Sequence, residues 1–223
     1  MNRAEIKELA KSKIKGNKWN IIWPVLVIGF LESVIQNIFH LGPGVANIDL
    51  NNLEAISVQN MPIQVSLGAG ILSILVGVIM AGYYKYILNF VRTGKFETND
   101  ILNTIKEKWL NILIATVLVS VIVGICTVFF VVPGIIMGLA YSMVTFLVID
   151  TDIAGSDALK ASREMMNGYK WDYFVFILSF IGWIILVPFT LGILLVWLFP
   201  YMTVATTIYY DKLKALTSKK KDE

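Results

Sequence analysis

The chain has 223 residues, of which 57% are hydrophobic and only 16% charged, and its mean hydropathy is +0.70. That is too apolar for a soluble globular domain of this length. The formal net charge of +3 comes from clustered lysines and arginines, and no basic patch with interleaved aromatics stands apart from the apolar runs, which argues against a nucleic-acid partner.

A bilayer core about 30 Å thick needs roughly 20 apolar residues per helix. The N-terminal segment is amphipathic: Ile6, Leu9, Ala10 and Ile14 share one face, with Lys7, Lys11 and Lys15 on another. It is expected to be a helix and not a cleavable signal peptide, because the apolar run behind it ends in Gln36, Asn37 and His40. The first expected span covers Asn20 to Phe39, the second Ile63 to Val91 and the third Leu110 to Val132. The fourth runs from Gly134 to Ile149, the fifth from Tyr173 to Phe189 and the sixth from Leu191 to Tyr210. Pro133-Gly134 separates the third from the fourth, and Pro188 with Gly192 the fifth from the sixth.

Charge orients these spans. The connection from His40 to Pro62 and the turns at Val132-Pro133-Gly134 and Pro188 to Gly192 carry no Lys or Arg, so all 19 basic residues fall on one side. The positive-inside rule places both termini in the cytoplasm, and attraction to anionic headgroups follows.

A unit recurs three times: an amphipathic segment, a Lys-Trp pair, then a hydrophobic hairpin that returns to a tyrosine. The pairs are Lys18-Trp19, Lys108-Trp109 and Lys170-Trp171, and the tyrosines are Tyr83, Tyr141 and Tyr201. In the second unit Ile101, Leu102 and Ile105 lead to Trp109; in the third, Ala158, Ala161 and Met165 align beside Leu159 and Met166, with Ser156 as N-cap and Asn167-Gly168 as C-cap. Such helices are expected in the interface plane. The expected fold is an all-α membrane protein with six transmembrane helices, arranged as three parallel-repeat helical hairpins, each preceded by a short cytoplasmic amphipathic helix. It forms one membrane domain over 1–223, with units at about 4–92, 98–152 and 155–214 and a basic polar tail at 215–223. The insertion that lengthens the first unit lies around Leu41 to Pro62.

Small residues allow close helix approach in lipid. Ala69, Ser73, Gly77 and Ala81 form one stripe, Thr116, Ser120 and Gly124 a second, and Gly134, Gly138 and Ser142 a third, all expected as packing seams. Trp19, Trp109 and Trp171, with Tyr83 and Lys85, are expected as interfacial anchors.

Glu32, Ser33, Gln36, Asn37 and His40 fall on one side of the first span, and Glu32 lies roughly 12 Å below His40 at 1.5 Å per residue. An ionisable residue at that depth faces a cavity or a partner. The stripe is either a polar cleft open to the outer face, binding a cationic or hydrogen-bonding group, or else a protonated Glu32 bonded to a neighbouring helix or a first span that ends early. His40 is the sole histidine and Cys126 the sole cysteine, so no disulfide, metal cluster or Ser-His pair is expected, and no cofactor. Asp150, Asp152, Asp157 and Glu164 match no ligand spacing, and no Walker, H-E-x-x-H or G-x-S-x-G motif occurs.

Several stretches carry a family resemblance. They are Asn2-Arg3-Ala4-Glu5-Ile6-Lys7, Gly82-Tyr83-Tyr84-Lys85-Tyr86, Val132-Pro133-Gly134-Ile135-Ile136, the run from Ala158 to Trp171, Leu178-Ser179-Phe180-Ile181-Gly182-Trp183, and Leu191-Gly192-Ile193 with Pro200-Tyr201. Together they resemble the bacterial integral membrane proteins grouped as domain of unknown function 975. The resemblance implies a six-span protein of the bacterial plasma membrane and supplies no catalytic residue. The expected function is non-enzymatic: binding of a lipid, an amphipathic peptide or a membrane protein partner, in an accessory or protective role. The alternative is a small transporter or channel using the Glu32 stripe. Oligomeric state stays open.

Overall fold

In the computed structural model the backbone is described for residues 2–40 and 63–222, and side chains for 2–34 and 76–219. Every regular element among these residues is helical. The order is α1 (Arg3–Ile14), α2 (Lys18–His40), α3 (Ile63–Thr93), α4 (Asn99–Phe129), α5 (Val131–Ala140), α6 (Val144–Asp150), α7 (Gly155–Met165), α8 (Lys170–Leu178), α9 (Ile181–Leu186) and α10 (Ile193–Asp222). A 3-10 turn at Pro188–Thr190 links α9 to α10.

Among the described residues, three stretches are long and apolar enough to cross a membrane: Asn99–Phe129, Val131–Asp150 and Ile193–Lys219. A fourth is added if Gly155–Met165 and Lys170–Leu186, which meet at 89°, count as one. The large exposed apolar side chains gather at one end of these hairpins, between Val121 and Ile136 and between Ile181 and Trp197, and along α2 from Leu26 to Val34. An apolar surface of that extent needs a non-aqueous neighbour.

The amphipathic segments differ from the expectation in two ways. First, their apolar faces are covered by protein. Ile6, Ala10 and Ile14 of α1 are buried, with Leu9 left at the edge. α1 packs antiparallel along α10: Glu5 bonds Lys212 at 2.7 Å near one end, and Lys18, just past the other, lies 5.1 Å from the Trp197 ring. α7 buries Gly155, Ala158, Leu159, Ser162 and Met165 in its packing on α4 and α6. Its N-cap is Ala154, not Ser156. Second, the second unit has no separate short helix. α4 runs unbroken for 31 residues, about 46 Å, through the amphipathic segment and into the span.

The sequence before each Lys-Trp pair explains that difference. Gly16 and Gly168 stand two residues ahead of Lys18 and Lys170 and adopt φ of 96° and 83°, a left-handed conformation that stops a helix. The corresponding residue in the second unit is Lys106, and the helix continues. Hairpin breaks lie close to the prolines. α4 ends at Phe129, and Pro133 falls in the first turn of α5, where its missing N–H costs nothing. After Pro188 the chain reverses through Leu191 and Gly192, both at positive φ. Residues 215–222 are helical and continue α10.

The packed core lies at the opposite end from the exposed apolar belt. It includes Tyr83, Tyr86, Ile87, Val144 to Ile149, and Val204 to Leu213. At the end of α6, beside this core, the Asp150 side chain is 4% exposed. Arg92 donates to both of its carboxylate oxygens, Lys214 Nζ donates at 2.5 Å and Tyr210 Oη at 2.8 Å. Arg92 also bonds Asp211 at 2.6 Å. Two cations and two carboxylates leave the cluster neutral. Arg92, Asp150 and Tyr210 each stand nine residues beyond a closing tyrosine: 83 to 92, 141 to 150, 201 to 210.

Lysines also terminate helices here. Lys13 Nζ donates to the Val91 carbonyl near the end of α3 at 2.8 Å, and Lys108 Nζ to the Thr151 carbonyl after α6 at 3.0 Å. Lys7 Nζ donates to Ser179 at the end of α8 at 2.9 Å. Last-turn carbonyls have no helical partner, and a cation satisfies both the hydrogen bond and the helix dipole.

Removing the Asp150 carboxylate takes the acceptor from the buried Tyr210 hydroxyl and from the partly exposed Arg92 and Lys214. Asp150→Asn is expected to lower stability by about 2–3 kcal/mol, and Tyr210→Phe by about 1 kcal/mol. Thermal unfolding of the purified protein in detergent measures both, with Asp152→Asn as a control at an exposed carboxylate.

Candidate functional site

The polar stripe on α2 is described in part. Glu32 is half-buried and Ser33 exposed, while the side chains of Gln36, Asn37 and His40 lie outside the described residues.

The three repeated tryptophans are surface residues, with Trp19 71%, Trp109 50% and Trp171 73% exposed. Tyr83, expected beside them, is instead fully buried, and its hydroxyl donates to the Ile21 carbonyl at 3.1 Å. Tyr86 makes the matching bond to Asn20 at 2.9 Å. Both tyrosines tie α3 to α2, and Pro24, which has no N–H to donate four residues back, leaves the Asn20 carbonyl open for Tyr86. Lys85 is half-buried.

The small-residue stripes divide. Ala81 is buried, and a Cβ on Gly77 would meet Thr116 at an ordinary 3.6 Å. Ala69 and Ser73 lie outside the described side chains. A Cβ on Gly134 would come within 2.2 Å of Thr127 Oγ1 and 2.9 Å of its Cα, so α5 leaves α4 at true backbone contact. One turn on, a Cβ on Gly138 would meet nothing within 4 Å among the described residues, and the same holds for Gly124. Two close approaches escaped the sequence. A Cβ on Gly82 would lie 2.9 Å from the Ile101 carbonyl oxygen, and one on Gly155 2.3 Å from that of Asn111. Neither glycine belongs to an i, i+4 stripe of small residues, the pattern that marks a helix seam.

A groove of about 390 Å³ lies between α1, the start of α2, α9 and α10. One wall is cationic, formed by Lys11, Lys15 and Lys18. The other is apolar, formed by Trp183, Leu194, Trp197 and Leu198, with Ile14 and Tyr201 completing the lining. The helix arrangement selects these lysines. Ile6, Ala10 and Ile14 turn one face of α1 into the core. Arg3 bonds Asp172 at 3.4 Å, and Lys7 and Lys13 cap α8 and α3, so those cations are engaged. Lys11, Lys15 and Lys18 make no ion pair with a carboxylate among the described residues, and Lys18 is held over Trp197 by cation–π attraction. Burial, and to a lesser degree the neighbouring charge of Lys11, push the pKa of Lys7 down. Cations facing an apolar wall suit an amphiphile with an anionic head.

The glycines give a direct test of where helices touch. Gly134→Ala is expected to cost about 1–3 kcal/mol through overpacking, whereas Gly138→Ala should stay within about 0.5 kcal/mol of the parent or gain helix propensity. Detergent-resistant thermal stability of the two variants separates them.

No curated protein and no solved structure matches the chain. The model of the protein family of unknown function DUF975 matches residues 121–217, which run from the middle of α4 through most of α10 and contain Asp150, Tyr210 and the apolar wall of the groove.

Proposed function

We propose that this chain is a non-enzymatic, multi-pass protein of the bacterial plasma membrane that binds an amphiphile with an anionic head, in an accessory or protective role. The observation that carries the reading is the groove, lined by Lys11, Lys15 and Lys18 together with Trp183, Leu194, Trp197 and Leu198, in which none of the three lysines pairs with a carboxylate among the described residues. An anionic headgroup gains roughly 1 kcal/mol per nearby lysine at a membrane surface, and the apolar wall takes the chain.

The proposal includes six spans in three hairpins with both termini cytoplasmic. The one-sided placement of all 19 basic residues supports this. So do the three exposed tryptophans and the shared nine-residue offset of Arg92, Asp150 and Tyr210 from the closing tyrosines. The 89° bend between α7 and α8 suits a helix that lies near the interface before the chain turns into the bilayer.

Two experiments test the reading. Reporters fused after Glu223 and inserted near Asn51 should report opposite compartments; the same compartment for both would end the topology. For binding, the full chain in mixed micelles with matched phosphatidylglycerol and phosphatidylcholine should retain the anionic lipid about fivefold more on native mass spectrometry. The triple variant Lys11→Ala, Lys15→Ala, Lys18→Ala should retain both equally. Equal retention by the parent chain would overturn the reading.

A further inference from the structure

We infer that the groove is built for a lipid whose head carries more than one negative charge, a phosphomonoester or diphosphate, and that Lys11, Lys15 and Lys18 together form the site for that head. The inference rests on the groove reading and makes it specific.

The argument is charge balance in a confined space. Three lysines line the groove, and no carboxylate is among its lining residues. A zwitterionic head brings no net charge, and a phosphodiester brings one. A phosphate monoester carries about −1.5 to −2 at neutral pH, and a diphosphate more, so either comes closer to neutralising the wall. The cations are also placed before any ligand arrives. Lys11 and Lys15 are one helical turn apart, and they project along one side of α1 because the apolar face fixes the helix against α10. Lys18 follows across the turn at Gly16 and rests on Trp197. Bringing like charges together costs energy that a multiply charged anion offsets, and no carboxylate among the described residues pairs with them. The apolar wall makes the ligand a lipid and not a free phosphate: Trp183, Leu194, Trp197 and Leu198 offer nothing to a headgroup and continuous contact to an acyl or prenyl chain.

The test uses the full chain and four probes: dioleoyl phosphatidate, dioleoyl phosphatidylglycerol, dioleoyl phosphatidylcholine and soluble glycerol 3-phosphate. Affinity is read by titration into detergent-solubilised protein at fixed salt. Phosphatidate is expected to bind about tenfold more tightly than phosphatidylglycerol, equivalent to about 1.4 kcal/mol. Lys15→Gln and Lys18→Gln should each weaken phosphatidate binding about fivefold, with thermal stability unchanged. Glycerol 3-phosphate should bind far more weakly than phosphatidate. Equal affinity for phosphatidate and phosphatidylglycerol, both above phosphatidylcholine, overturns the multiply charged head and leaves the groove reading standing. No anionic preference at all removes both. A phosphatidate preference that survives Lys15→Gln and Lys18→Gln overturns the assignment to these lysines. Equal affinity for glycerol 3-phosphate and phosphatidate overturns the lipid.

Discussion

A carboxylate withdrawn from solvent must be supplied with donors, or it destabilises the fold by several kcal/mol. Asp150 is such a group, and its donors come from elsewhere in the chain: Arg92 at the end of α3, Tyr210 and Lys214 on α10. The requirement therefore fixes the register of α3, α6 and α10 relative to one another. Apolar packing alone would tolerate sliding, because leucine against isoleucine is nearly indifferent to a small axial shift. A bidentate guanidinium pair does not tolerate it. Phe146 stacking on Tyr210 at 5.1 Å, and on Tyr84 at 5.4 Å, extends the same join with apolar contact.

This arrangement makes the molecule asymmetric along the helix axes. At the basic end, polar groups are satisfied by the protein: Lys13, Lys108 and Lys7 cap helix ends, and Tyr83 and Tyr86 bond the start of α2. At the other end the hairpins expose valine, isoleucine, leucine and phenylalanine. An apolar solvent would drive those ends together only weakly, since lipid tails compete equally well for the same surface. Specificity therefore has to come from the basic end, where charge and hydrogen bonding distinguish one register from another. The groove follows from the same division. α1 is held along α10 by its apolar face and by Glu5 with Lys212, and once it is held, Lys11 and Lys15 face outward without carboxylate partners.

The parts legible in the sequence were those set by local or one-sided rules. Span cores, the proline-glycine reversals and the exposure of the Lys-Trp tryptophans follow from hydropathy, fixed proline φ and interfacial chemistry. The fused α4 was legible too, through Lys106 standing where Gly16 and Gly168 stand, but only by comparing the units at residue level. Gly134 and Gly138 show the limit of the stripe rule. Both occupy i, i+4 positions on α5, yet only Gly134 touches backbone, because α5 departs from α4 at the hairpin and contact is lost within a turn. Asp150 reads in sequence as one more carboxylate after an apolar run; its nine-residue offset from Tyr141 gains meaning only beside Arg92 and Tyr210. The groove was not legible, because it joins Lys11 to Trp183 and Trp197 across most of the chain, and no periodicity links residues so far apart.

The two polar features of the first unit ask for opposite ligands. Lys18 and Glu32 are 14 residues apart on one helix, about 21 Å along its axis, so no single headgroup reaches both. The Lys18 end presents positive charge to an apolar wall, while a carboxylate at Glu32 would attract a cation. A transport path along α2 would need those two fields in series, with a substrate drawn to one and repelled by the other. The proposed lipid would face no such conflict: its anionic head would meet the lysines, its chain tryptophan and leucine, and the bilayer would supply it laterally without passage through the bundle. The sign of the charge at the groove therefore favours occupancy by a resident amphiphile over passage of a solute.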